Sequence, residues 1–389
     1  MTSNLREADV PDKIDYWDAG DAYTSWIHNE GVKHIIDYKF PDLNEVELGD
    51  WERKGGKGAI INIPNGALPN DAHLIEIKPG GKSEPEHHMY EETMYVVSGR
   101  GATSVWLEEG QKSTFEWAAG SLLTIPLNSS YQHFNGSGTE PVRYVSMTNA
   151  PPVLRMFRST DFVFNNTYTF RDRFAGDDED YFNGQGTLLQ RKGTKFGTIW
   201  RTNFVPNADV MKLWAYRDRG AGGINTHFDL AGNVTKSHIS EFPVGTYKKG
   251  HRHGPGAHLL LLSGDAGFSL LWNEDDRSDM RKADWKEGSM VIVPGEGTYH
   301  QHFNSGTKRA RYLALKQGEH GLVPPYGGIR PGADVSMKDG GRQVEYEDEA
   351  RQIHDIFEAE LGKNGATCRM KAFIPYCTGE VGPTKERDA

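Results

Sequence analysis

Gly245-Thr-Tyr-Lys-Lys-Gly-His251-Arg-His253, read together with Thr298-Tyr-His300-Gln-His302-Phe-Asn304, decides the fold of this chain. Residues i and i+2 of a β-strand face the same side. His251 and His253 therefore aim two imidazoles at one point. His300 lies beyond Gly288-Ser-Met-Val-Ile-Val-Pro294, on a strand able to return beside them. Three neutral imidazoles suit zinc, copper, iron or nickel.

The same pattern occurs earlier in the chain. With Gly245 aligned on Gly80, His238-Ile-Ser-Glu241 answers His73-Leu-Ile-Glu76, and Ser263-Gly264 answers Ser98-Gly99. Asp284-Trp285 answers Glu116-Trp117, and Pro294 answers Pro126. His300-Gln-His-Phe-Asn304 answers Tyr131-Gln-His-Phe-Asn135, and Arg311-Tyr312 answers Arg143-Tyr144. A repeat of this length marks two copies of one domain, whereas a solenoid needs three or more short units.

Composition narrows the function classes. A chain of 389 residues accommodates two domains with extensions. The net charge of −10 carries no basic stripe of the kind nucleic acid requires. No apolar run approaches a membrane span, and the first residues hold no apolar signal region. Cys368 and Cys377 are the only cysteines, which points to a reducing compartment and two ordinary free thiols. A cytoplasmic protein without nucleic-acid or membrane partners is expected.

Residues 1–58 read as an arm with a short helix near Trp17, Tyr23 and Trp26, and residues 59–150 as a first β domain. Residues 151–205 form a connection too long for a plain loop. Residues 206–335 form the second β domain, and 336–389 a helical tail. Short β-rich runs broken by Gly and Pro predict an all-β barrel or sandwich. Met94–Val97 and Leu259–Leu262 read as strands buried on both faces. Val344–Leu361 is the clearest helix, with Gly362 as its stop. The arm and tail are available for pairing copies of the chain, so a homo-oligomer is expected.

The pattern Gly-x5-His-x-His, followed by Gly-x5-Pro and His-x3-Asn, resembles the two signature motifs of the cupin superfamily. Two copies look like a bicupin, with two jelly-roll barrels and short helical extensions. The resemblance covers residues 60–150 and 235–320. Metal-binding cupins of the germin and oxalate decarboxylase type use three His and one Glu. The C-terminal copy offers His251, His253 and His300, with Ala257 in the Glu place. The N-terminal copy offers Glu86, His88, Glu92 and Tyr131, either as a buried polar cluster or as a weak or vestigial metal site. His87 and His133 are one residue out of register and are not expected to be ligands.

A three-imidazole site keeps the full charge of a divalent ion and leaves coordination positions open, as catalytic sites do. It suits an anionic, chelating substrate. His-Arg-His with an apolar residue in the Glu place resembles the gentisate 1,2-dioxygenase group, in which iron held by three histidines cleaves a hydroxylated aromatic acid. The resemblance implies Fe(2+) first, with Mn(2+), Ni(2+) or Zn(2+) as alternatives, and O2 beside a small hydroxylated aromatic or other chelating acid. One departure leaves the substrate open: in that group the intact site lies in the N-terminal cupin, and here it lies in the C-terminal one. A non-oxidative isomerase, decarboxylase or lyase on a small carboxylate is the alternative, and a binding or storage bicupin the third. Arg311 is a candidate clamp for a substrate carboxylate, provided it and not Tyr312 faces inward. His302 shares the face of His300 and is a candidate proton donor. Arg252 alternates away from the metal. Asn304 and Asn135 are expected to hold turns, and Trp214, Tyr216, His227 and Tyr247 are candidate pocket walls.

Overall fold

The structure is a computed structural model. It describes residues 20–64, 69–107, 111–176, 178–190, 197–215, 220–254, 256–273, 277–295, 297–317, 332, 334–377 and 379. Trp17 and Tyr216 fall outside the described residues.

Each half builds one larger and one smaller sheet with the same strand order. In the N-terminal half the larger sheet runs Lys33–Ile36, Gly56–Asn62, Asp71–Ile77, Val142–Thr148, Glu92–Ser98 and Leu122–Ile125. In the C-terminal half the corresponding path is Thr198–Thr202, Ile224–Leu230, Thr235–Phe242, Ala310–Gln317, Ala257–Ser263 and Met290–Val293. In both, the first two strands pair parallel and the others antiparallel. The smaller sheets match as well: Ser130–Asn135, Arg100–Trp106 and Ser113–Ala118 answer Thr298–Phe303, Gly267–Asn273 and Arg281–Trp285. The fold is all-β, two cupin barrels in one chain, as the repeat predicts.

Strand alternation sorts side chains between two cores. On Ala257–Ser263, Ala257, Leu259 and Leu261 line the barrel interior. Leu260 and Leu262 point outward into a second cluster. That cluster also holds Leu74, Leu122, Val145 and Met147 of the first barrel. The larger sheets therefore pack face to face, which explains why these strands read as continuous apolar runs. Glu91 fastens the joint: its carboxylate accepts hydrogen bonds from the backbone N–H groups of Val234 and Thr235, each at 2.9 Å.

The barrels also exchange edge strands. Lys39–Phe40, from the arm, pairs with Met290–Val293 of the second barrel. Phe204–Val205, from the connection, pairs with Leu122–Ile125 of the first. In each barrel one glycine makes room for a tryptophan: Gly101 lies opposite Trp117 and Gly267 opposite Trp285. A Cβ at either glycine would collide with the facing indole.

The helical expectations hold with shifted bounds. The arm contains the helix Ala22–Glu30. The tail helix is Arg351–Asn364, so it starts later than the sequence pattern suggests and runs through Gly362 to a left-handed Gly365. Upstream, Tyr346–Asp348 forms only a short 3-10 turn. Ile353, Phe357 and Leu361 bury one face of the helix against the second barrel, beside Tyr247, Phe268 and Phe303.

Candidate metal centre

The second barrel brings His251, His253 and His300 together. His251 and His300 exchange backbone hydrogen bonds of 3.0 and 2.8 Å across an antiparallel bridge. Their rings lie 4.2 Å apart, and His253 and His300 are separated by 4.7 Å. One ring nitrogen from each of the three lies within 4.8 Å of the others, and all three residues are buried. His251 Nδ1 is 3.0 Å from the Lys249 carbonyl oxygen. As donor there, it turns the Nε2 lone pair toward the other two rings, the arrangement that orients metal-binding imidazoles. The donor set fits a mononuclear transition-metal ion.

Ala257 occupies the fourth ligand's place. Its strand partner is Val293, just as Glu92 pairs with Ile125 in the first barrel. A methyl group inside an apolar cluster offers nothing to an ion. Among the described residues, no carboxylate joins the three histidines.

The first barrel holds a side-chain cation. Glu86 and Tyr131 form the bridge that matches His251 and His300. Around them, the His88 Nε2 atom is 3.0 Å from Glu92 Oε2, and Tyr131 donates to the same oxygen at 2.8 Å. The ammonium of Lys54 reaches in from the chain before Gly56–Asn62. It lies 2.9 Å from Glu86 and 3.4 Å from the Tyr131 oxygen. Burial alone would raise the Glu92 carboxyl, yet the Lys54 charge and the His88 bond hold it well below the usual carboxylate range. A side-chain cation thus offsets part of the charge of the two carboxylates, which favours the buried polar cluster over a second metal site. Lys54 escapes sequence reading because it lies far from the motif, with no spacing to mark it.

The remaining candidates divide by strand face. Tyr312, not Arg311, faces the barrel interior; its ring lies 5.2 Å from that of His302. The guanidinium of Arg311 is engaged on the opposite face. It bonds Glu241 at 2.8 and 2.9 Å and the carbonyls of Ala208, Asp209 and Met211. Arg143 does the same with Glu76 and the carbonyls of Leu43, Asn44 and Val46. The expected carboxylate clamp at Arg311 is therefore corrected: this arginine fastens a connecting segment to the sheet.

His302 lies beside the trio, 5.4 Å from His300, with Nδ1 at 2.8 Å from Ser269 Oγ. His133 makes the matching bond to Thr103. Arg252 alternates away and lies over the Tyr299 ring. Asn304 and Asn135 each tie a turn through paired carbonyl bonds, as expected. Tyr247 packs against the tail helix, not in the pocket wall. His227 stands 5.0 Å from His238, and Trp214 is half-buried at the sheet edge.

One residue near the site lies inside the Gly-x5-His gap, where the motif specifies no side chain. Lys248 is buried, and its ammonium donates to the Tyr312 hydroxyl at 3.0 Å. Lys248, Tyr312 and His302 thus form a polar file running inward from the trio. The tail adds a wall: Arg252 N–H bonds the Arg342 carbonyl, and Val344 N–H that of Gly250.

Residues 73–148 match the cupin domain family model. Among curated proteins, the chain is 30% identical over 121 residues to a probable oxalate decarboxylase of Arthroderma benhamiae, covering 30% of this chain and 29% of that one. The match thus spans less than a third of the relative's length. Among solved structures, one of oxalate decarboxylase concerned with substrate binding and reaction specificity has a TM-score of 0.46 at 14% identity, covering 74% of this chain and 78% of that one. Another, of the Bacillus subtilis enzyme and its Mn(II) centres, has a TM-score of 0.47 at 15% identity, covering 74% and 78%. No helix among the described residues is long and apolar enough to cross a membrane.

Proposed function

We propose that this protein is a metal-dependent cupin enzyme whose C-terminal barrel binds one divalent ion through His251, His253 and His300. Its reaction is a non-oxidative cleavage, decarboxylation in the first place, of a small carboxylic acid that chelates the ion. The observation that carries the proposal is the buried three-imidazole set with Ala257 in the fourth place. The decarboxylase relative favours this reaction class over dioxygenation. When bound, the ion supplies a Lewis acid that polarises the substrate carboxylate. Lys248 adds positive charge inside the barrel, and Tyr312 holds its ammonium in place. His302, fixed through Ser269, is the imidazole placed to hold or pass a proton.

Manganese is the metal named for the Bacillus subtilis enzyme. Three imidazoles without a carboxylate suit iron(II), nickel or zinc as well. The comparisons do not support iron above the others. A second reading remains, an iron dioxygenase on a hydroxylated acid, because Ala257 leaves the ion's charge uncancelled.

Metal analysis of protein purified without chelators, followed by reloading with each ion, addresses both readings. Turnover of oxalate and related small acids should release CO2 without stoichiometric O2 uptake. One O2 consumed per turnover would select the dioxygenase. His300→Ala should lose the ion and lower activity by at least ~100-fold, the upper end of what losing even a supporting contact costs a metal site. Unchanged metal content and activity in that variant would remove the proposal.

A further inference from the structure

The C-terminal tail carries a second group of metal-ligating side chains, separate from the histidine trio. His354 and Glu358 stand one turn apart on the helix Arg351–Asn364, so both face the same side. Cys368 and Cys377 lie on the segment that folds back over that side. His354 Nε2 is 2.9 Å from Glu358 Oε1, Cys368 Sγ is 3.4 Å from Cys377 Sγ, and Cys377 Sγ is 3.9 Å from Glu358 Oε1. One donor atom from each of the four lies within 4.8 Å of all the others. His354 and both cysteines are buried, and Glu358 is partly so.

We propose that Cys368, Cys377, His354 and Glu358 form a structural site for a thiophilic divalent ion, zinc in the first place. Two thiolates, an imidazole and a carboxylate are donors that zinc accepts in tetrahedral array. A zinc–sulfur distance of about 2.3 Å places two thiolates roughly 3.8 Å apart in such an array. The sulfurs stand near that separation, well beyond the ~2.04 Å of a disulfide bond. Second, the histidine is oriented from behind. His354 Nδ1 lies 3.1 Å from the Tyr247 oxygen, and Tyr247 gives its own proton to Glu349 at 2.6 Å. With Nδ1 as donor, Nε2 is able to give its lone pair to an ion in place of a proton to Glu358, as in the carboxylate-supported imidazoles of zinc proteins. Third, residues 366–377 form neither strand nor helix, yet Ala366, Cys368, Met370, Ile374 and Cys377 are buried against the helix. A coordinated ion would fasten this irregular segment to the helix, and the helix to the second barrel.

The test uses the full chain, purified without chelators and loaded with zinc or cobalt(II). X-ray absorption at the zinc edge should show sulfur in the first shell. The cobalt form should show a thiolate charge-transfer band. That band should persist in His251→Ala, which empties only the trio, and vanish in the Cys368→Ser/Cys377→Ser double variant. The double variant should bind one equivalent of metal fewer than the parent. Absence of sulfur around zinc, unchanged metal content in the double variant, or a Cys368–Cys377 disulfide in peptide maps of unreduced protein would each overturn the proposal. The absorption measurement needs no variant, so a folding failure of the double variant does not protect the idea. The thiolate band is blind to the histidine trio, so this result and the enzymatic reading stand or fall separately.

Discussion

At the scale of single residues, the two barrels differ by a few side chains with large electrostatic consequences. The second gathers three buried imidazoles, which we propose hold a metal ion. The first places two carboxylates, one imidazole and a tyrosine, and brings its own cation in Lys54. The Lys54 and Glu86 side chains are 1% and 5% exposed, so neither charge is hydrated. Removing one partner of such a buried pair leaves an uncompensated charge, at a cost of roughly 3–5 kcal/mol. Lys54→Met should lower stability by that order in urea denaturation, and Lys54→Met/Glu86→Gln should recover much of the loss. A neutral effect of the single substitution would show that the ammonium does not balance the cluster. The motif residues were legible from the repeat, because strand spacing is local. Lys54 was not, because its reach into the cluster depends on where a distant loop lands.

At the scale of elements, the tail helix and the strand carrying the trio are linked by polar contacts. Gln301, between His300 and His302, donates to Glu349 at 2.6 Å, and Glu349 accepts from Tyr247 at the same distance. Burial pushes the Glu349 carboxyl up to about 7, with the two hydrogen bonds only partly opposing it. A raised carboxyl favours the fold in its protonated form. Its contribution is full below about 4.3, the unfolded value, and is lost as pH rises through about 7. The swing is of order 3 kcal/mol. The stability of Glu349→Gln relative to the parent should therefore increase between about pH 5 and 8 in paired denaturation curves. Parallel profiles would mean that Glu349 stays charged in the fold. The helix itself was visible in the sequence through its apolar spacing. Its start was misplaced, because residues 344–350 carry the same acidic and apolar pattern but are held in extended and 3-10 form by contacts with the barrel.

At the scale of the whole molecule, the barrels share an apolar seam and trade edge strands. His258, on the outward face beside Ala257, lies at this seam between Ile292 and Leu315. Burial holds its imidazole down at about 4, and among the described residues neither ring nitrogen has a hydrogen-bond partner. His133 in the first barrel is held at about 4 by the same cause. A depressed histidine favours the fold in its neutral form. That stability is complete above about 6.5 and is lost as pH falls through about 4. His258→Leu should therefore flatten acid unfolding between about pH 6.5 and 4, by an amount on the order of 3 kcal/mol. The check is the midpoint of denaturation measured at each pH; an unchanged acid slope would refute the burial argument.

The amino-acid sequence alone determined that there are two barrels, that each has a returning histidine or tyrosine strand, and that one intact three-histidine set lies in the second. These features rest on short-range periodicity and on a repeat, both of which survive in a linear reading. The tertiary structure alone decided that Lys54 enters the first barrel, that Arg311 faces outward and Tyr312 inward, and that each barrel borrows an edge strand. It also decided that Cys368 and Cys377 meet His354 and Glu358. Such meetings arise from the closure of long loops and the packing of sheet on sheet, and the spacing of residues along the chain carries no trace of them.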